Sequence, residues 1–199
     1  VKRLGILLSG RGSNFEAIAK NIELGRLSAE IAVVISNCAE ARGIEIAKER
    51  GLPAVVLPSK GVPRAEYDQR VVAELQNRGV ELVCLAGFMR LLSPRFCRAF
   101  PLRALNIHPS LLPAFPGLDA QRQALEHGAK ISGCTVHFVE EALDAGPIVL
   151  QAAVPVLDDD TVETLAARIL VEEHRIYSQA IGIILSGRWR VEARRVMVG

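Results

Sequence analysis

"RLGILLSGRGSNFEAIAKNIELGRL" occupies residues 3–27 and shows the strand-then-helix pattern on which the first half of the fold is read. "RLGILLS" (3–9) is a short apolar run, too short for a helix and of the kind buried on both faces of a sheet. "SGRGSN" (9–14) breaks it with two glycines. After it, Ile18, Ile22 and Leu24 recur at helical spacing. A strand that turns through glycine straight into a helix is the opening of a βαβ unit.

The pattern repeats down the chain. "EIAVVIS" (30–36), "PAVVLP" (53–58), "VELVCLAG" (80–87) and "RALNIHPS" (103–110) read as further strands. Helices are predicted near 40–50, stopping at Gly51, and over 64–78, between Pro63 and Gly79. Strands separated by helices of this length call for right-handed crossovers and a parallel sheet. The second half changes style. "ISGCTVHFVE" (131–140) and "PIVLQAAVPV" (147–156) predict an antiparallel pair joined through Asp144, Ala145 and Gly146. Residues 158–188 then read as one long helix. Asp160 is its expected N-cap, with Glu163 completing a capping box, and Gly187 its stop. "RWRVEA" is expected as a last edge strand. The predicted fold class is α/β: a Rossmann-like, mostly parallel sheet flanked by helices, with an antiparallel C-terminal portion and a long C-terminal helix. With no repeat or linker, residues 1–199 are expected to form one domain, with a nucleotide-binding half at 1–100 and a catalytic half at 101–199.

Half of the 199 residues are hydrophobic but only 5% are aromatic, so the core must rest on Leu, Ile, Val and Ala. A net charge of +2 is too mild for the basic stripe that nucleic acid demands, and suits a small anionic substrate. Cys38, Cys84, Cys97 and Cys134 form no CxxC pair, so no metal or redox motif is supported. They read as buried thiols of a reducing compartment. The start "VKRLGILLSG" is too short for a signal peptide, and no apolar run approaches the ~18 residues of a membrane span. A cytoplasmic protein, monomer or homodimer, is expected.

In an open parallel sheet, ligands bind beyond the carboxyl ends of the strands. "SGRGSN", "AGFMRLLSP" (86–94) and "NIHPS" (106–110) all fall at such ends. In the first, the backbone can approach an anion closely and a helix N-terminus faces it. It is neither a Walker loop nor a dinucleotide fingerprint, since Phe15 stands where the last glycine should be. The pattern weighs phosphate binding evenly against a tight turn capped by Ser13. In the third, Asn106 and His108 share one face of a strand that Pro109 ends. Together they could hold an oxygen that becomes negative during a reaction. A carboxylate at Asp144 would stabilise the His108 imidazolium, although residues alone favour an ordinary Asp-containing turn. His137 reads as a satisfied structural histidine. Glu173 falls on the apolar stripe of the long helix and needs a partner there.

"LLSGRGSN", "LAGFMRLLSP", "LNIHPSLLPAFPGLDAQRQAL", "GCTVHFVEEALDAGPIVLQAAVPV" and "EEHRIY", in this order, resemble the glycinamide ribonucleotide formyltransferase family. The resemblance implies transfer of a formyl group from 10-formyltetrahydrofolate, as co-substrate, to the amine of glycinamide ribonucleotide in purine synthesis. It implies that Asn106, His108 and Asp144 are the catalytic set, with Thr135 orienting Asp144 or a water. It implies a phosphate cradle at Gly12, Ser13 and Asn14, and further ribonucleotide contacts at Gly87, Pro109 and Glu173. It places the folate against Met89, Arg90, Leu91 and Leu92, with Asn106, Val139, Glu140, Glu141 and Asp144 around its pterin and Arg64 at its tail. One departure stands out: many members have histidines where this chain has Asp119 and Gln121.

Three rivals are weaker. A methionyl-tRNA formyltransferase would need an RNA-binding appendage after this domain and more positive charge. A formyl-folate hydrolase would leave the Gly-rich loop unexplained. A non-catalytic nucleotide-binding module would have no use for Asn106, His108 and Asp144 together.

Overall fold

Nine strands and six helices, alternating as far as β6, make up the chain in a computed structural model that describes all 199 residues. They form two compact units, Val1–Asn106 and Ile107–Gly199.

The first unit holds β1 (Lys2–Leu8), β2 (Ala29–Ser36), β3 (Ala54–Val56), β4 (Leu82–Leu85) and the start of β5 (Ala104–His108). Their order is β3-β2-β1-β4-β5, and every pairing is parallel. The crossovers are α1 (Ser13–Glu23), α2 (Arg42–Glu49), α3 (Arg64–Asn77) and the short α4 (Pro94–Ala99). β1 is buried without interruption from Leu4 to Leu8, and β2 from Ile31 to Ser36. That is the signature of strands covered on both faces, and it explains why these runs show no alternation. The strand order reverses between β1 and β4, so the loops leaving those two strands flank the topological switch point.

The second unit is antiparallel where it begins. β6 (Ile131–Phe138) pairs with β7 (Ile148–Pro155), Ile131 facing Pro155 and Val136 facing Leu150. β7 alternates buried Ala152 and Val154 with exposed Gln151, Ala153 and Pro155, one face packed and one in water, and its pairing with β6 shifts register beside Val149. α6 (Val162–Ser186) packs on both strands, and α5 (Ala120–Glu126) packs on α6. The buried stripe of α6 includes Leu165, Ile169, Glu173, Ile176, Tyr177 and Ala180, as its spacing predicts. A hairpin of β8 (Trp189–Glu192) and β9 (Arg195–Val198) closes the chain, β9 lying beside β7.

Several expectations need correction. The N-cap of α6 is Thr161, not Asp160: Thr161 Oγ1 accepts from Thr164 N at 3.2 Å, and Thr164 Oγ1 accepts from Thr161 N at 2.9 Å. Asp160 is drawn instead to the Arg168 guanidinium, at 2.7 and 2.8 Å, which holds its carboxyl far below the usual range. Leu24 is exposed, because α1 ends at Glu23 and its buried face runs through Asn14, Phe15, Ile18 and Ala19. The edge strand of "RWRVEA" has a partner, β9, that the sequence reading did not anticipate. Cys84 and Cys134 are buried, and burial raises both thiols, Cys134 to about 12. Cys38 and Cys97 are only half-buried.

Candidate functional site

The Gly-rich loop leaves β1 and enters α1 through Gly12, whose φ of 76° is left-handed. A side chain there would also meet the backbone of α2: an added Cβ would lie 2.7 Å from Gly43 Cα. Glycine is required twice over, by conformation and by close approach. Gly43 N donates to Gly10 O at 3.0 Å, so the amino end of α2 braces the loop from behind. Gly43 went unnoticed in the sequence because it stands alone in a helical stretch. Ser13 opens α1, and Asn14 is 8% exposed on its buried face. Gly12 has no side chain to cap the first-turn N–H groups, the arrangement that suits an anion.

Beyond β4, Gly87 is also left-handed, and its carbonyl accepts from Ser9 N at 3.0 Å. The next residues present apolar surface outward. Met89 is 71% and Leu91 50% exposed, while Leu92 is buried. The Arg90 side chain is spent on the protein itself, donating to Ser59 O at 3.3 Å and Val62 O at 2.8 Å and stacking over the Tyr67 ring at 4.7 Å. Arg64 stands exposed at the first position of α3. Asn106, half-buried on β5, pairs in register with Leu85.

In the second unit, three titratable side chains converge. His108, the last residue of β5, is 5% exposed. Its Nε2 lies 2.8 Å from Phe115 O, and a carbonyl can only accept, so Nε2 carries the hydrogen. Its Nδ1 lies 3.4 Å from Asp144 Oδ2. Asp144 Oδ1 lies 3.7 Å from His137 Nε2, and Asp144 Oδ2 also accepts from Gly117 N at 2.9 Å. One carboxylate therefore sits between two imidazoles with almost no water around it. His137 was read as a structural histidine, but it borders the same carboxylate. Its Nδ1 donates to Phe138 O at 2.9 Å. Burial lowers its pKa and the His108 charge adds to this, while the Phe138 carbonyl and Asp144 oppose. A His facing inward seven residues before an Asp-Ala-Gly turn was the available signal. It is a weak one, because only the folded turn brings the two together.

Two residues reach this geometry in left-handed backbone without being glycine: Phe115 at φ 51° and Asp144 at φ 49°. For a bulky residue such as Phe115 this is strained, and it aims the carbonyl at His108. The turn is held at its base by Gly146, where an added Cβ would fall 1.8 Å from Phe138 O.

Thr135 departs from its expected role. Its hydroxyl donates to Ser110 O at 2.7 Å and accepts from Leu112 N at 3.1 Å and Gln151 Nε2 at 3.0 Å. One donor and two acceptor positions are all a hydroxyl has, so nothing remains for Asp144 or a water. Gln151 Nε2 also donates to Leu112 O at 2.9 Å. Thr135 and Gln151 together brace the loop that carries Phe115. Ser110 Oγ lies within reach of Ala114 O (2.6 Å) and Phe115 O (3.2 Å) and ties the loop's other side. The far end is held by Gln123 Nε2, donating to Pro116 O and Leu118 O at 3.1 and 2.8 Å. Asp119 itself is exposed and left-handed before α5. Pro109 is half-buried directly after His108, Val139 is half-buried, and Glu140 and Glu141 are exposed. Glu173 is 8% exposed, and its charge helps raise the Cys134 thiol, which places it beside β6.

Residues 2–181 match the formyl transferase family. The chain is 41% identical to the phosphoribosylglycinamide formyltransferase of Escherichia coli (strain K12), over 94% of this chain and 88% of that one. It is 47% identical to the trifunctional purine biosynthetic protein adenosine-3 of Drosophila pseudoobscura pseudoobscura, over 95% of its own length but only 14% of that protein. Among solved structures, glycinamide ribonucleotide transformylase 1 from Symbiobacterium toebii superposes with a TM-score of 0.97 at 54% identity, covering 100% of this chain and 94% of that one. No helix is long and apolar enough to cross a membrane.

Proposed function

This chain belongs to the formyl transferase family, and we propose that it moves a formyl group from 10-formyltetrahydrofolate to the primary amine of glycinamide ribonucleotide. The observation that carries this reading is the buried pairing of His108 Nδ1 with Asp144 Oδ2 at 3.4 Å, two residues thirty-six positions apart in the chain.

The folate supplies the formyl carbon, and the amine, neutral, is already a nucleophile, so no Ser or Cys nucleophile is needed. The residues must place the two reactants, hold the oxygen that gains charge, and move protons. Asn106 and His108 are two positions apart on β5 and so share a strand face; their amide and ring N–H donate to that oxygen. His108 is also placed to protonate the departing folate nitrogen, for which its Nε2 hydrogen must leave the Phe115 carbonyl. Asp144 balances the imidazolium charge and accepts, through water, the proton that the attacking amine loses. The proton count closes: the amine gives up one proton and the folate nitrogen gains one. Gly12, Ser13 and Asn14 hold the phosphate at the amino end of α1. The outward-facing Met89 and Leu91 suit the flat, largely apolar body of a folate, with Arg64 at its anionic tail.

The test is a competition. The purified protein is given 10-formyltetrahydrofolate with glycinamide ribonucleotide, initiator methionyl-tRNA and water as the available acceptors, and formylated amine, formylated tRNA and free formate are followed separately. Formylated ribonucleotide as the dominant product is expected. Formate in stoichiometric excess would move the reading to hydrolysis.

A further inference from the structure

Five residues near the carboxyl ends of β1 to β4 close a hydrogen-bonded ring that the proposed chemistry does not use. Met89 N donates to Ser9 Oγ at 2.8 Å, and Ser9 Oγ donates to Asn37 Oδ1 at 2.5 Å. Asn37 Nδ2 donates to Ser59 Oγ at 3.1 Å. Ser59 O receives the Arg90 guanidinium at 3.3 Å, and Arg90 follows Met89 in the chain. The circuit is complete. Four loops contribute, those leaving β1, β2, β3 and β4, with nothing else in common along the sequence.

We propose that Asn37 is the positioning residue for the 87–92 loop, fixing where the backbone of Met89 and Arg90 meets the folate. This rests on the folate reading of that loop given above. Asn37 is the member whose side chain points both ways. An amide offers an acceptor and donors on opposite branches, so it alone can join a hydroxyl that donates to one that accepts. The ring also fixes its orientation. Ser9 accepts from Met89 N, so its one hydrogen is free for Asn37 Oδ1, which turns Nδ2 toward Ser59. The backbone adds a second tie, Ser59 N donating to Asn37 O at 3.4 Å. Ser59 is 9% exposed, so its partners are not readily replaced by water. Met89 and Leu91, by contrast, are outward apolar side chains that anchor nothing themselves. The loop is tied through Ser9 and Arg90, and Asn37 and Ser59 are where these two ties join, beside the direct bonds of Ser9 N to Gly87 O and of Arg90 to Val62 O.

Steady-state kinetics on Asn37→Ala should show KM for 10-formyltetrahydrofolate raised about tenfold, with kcat and the ribonucleotide KM changed much less. Asn37→Asp should stay close to wild type, because its two oxygens can accept from both serine hydroxyls. Hydrogen exchange of the Met89 amide should speed up in Asn37→Ala and in Ser9→Ala, which cuts the ring at its other hydroxyl and serves should Asn37→Ala not fold. A lowered Tm with both KM values and the Met89 exchange unchanged would overturn the proposal, leaving Asn37 a purely structural residue. Wild-type protein that transfers no formyl group would instead sink the functional reading, and the Met89 exchange rate would still decide the role of Asn37.

Discussion

In Val1–Asn106 the Gly-rich loop after β1 is shaped by backbone, with Gly12 in left-handed conformation and resting on Gly43, although side chains tie its Ser9 to the loops after β2 and β4. In Ile107–Gly199 the same task falls to side chains: His108, Asp144 and His137 converge, while Thr135 and Gln151 brace the loop beside them. Beside that carboxylate the second unit uses left-handed backbone at Gly117 but also imposes it on Phe115 and Asp144. A glycine loop tolerates its conformation in isolation. A left-handed Phe persists only because its surroundings over-determine it. On the proposed reading, the first unit would offer a glycine-shaped surface that needs no ligand to form, and the second a set of groups whose geometry depends on the braces around them.

The sharpest way to break this contrast is His108→Ala. With His108 as the proposed oxyanion donor, its loss should lower kcat about 10²–10³-fold with a modest change in either KM. A KM effect alone would make the second unit a binding surface too. Next comes Thr135→Val, which keeps shape and removes the hydroxyl. Leu112 N and Ser110 O lose their partner, so unfolding free energy should drop by about 1–3 kcal/mol in urea titration, with kcat falling alongside. Unaltered kcat at a temperature where the variant is folded would show that the loop needs no such brace. Gly12→Ala should do the opposite kind of damage. Left-handed strain and the approach of Gly43 should raise KM for the ribonucleotide about tenfold or more while kcat holds. A kcat loss of similar size there would blur the distinction between the units.

The smallest effect is in pH. Burial holds the His137 pKa below its ordinary value of 6.5, so the unfolded chain binds its proton first as pH falls. The protein should keep its stability above pH 6.5 and lose part of it as pH drops through 6.5 toward the folded value. Urea midpoints measured across that range should flatten in His137→Gln; an identical slope would mean that His137 titrates alike in both states.

The strands and most helices were legible because their signals are local. An unbroken apolar run such as "GILL" has few uses outside a covered strand, and Gly51, Gly79 and Gly187 mark helix ends by residue type alone. The expectation for Asp160 missed because it weighed a cap position without the arginine two turns up the helix, which takes the carboxylate. The family resemblance put Thr135 to orienting Asp144 or a water, and only the loop folding back over it shows that its hydroxyl is fully used. His137 was read by a rule for single histidines that says nothing about which carboxylate arrives beside it.

Residue order alone determined the parallel first half, the antiparallel pair that follows and the long last helix, since periodicity and glycine placement act over a few neighbouring positions. It also singled out Asn106, His108 and the loop at 9–14, whereas Asp144 entered through the family resemblance. The tertiary structure decided what these groups touch: which carboxylate oxygen faces which imidazole, which carbonyl holds the His108 hydrogen, and which amide links four loops into a ring. Hydrogen bonds between distant positions are set by where the whole chain comes to rest, and no local pattern encodes that.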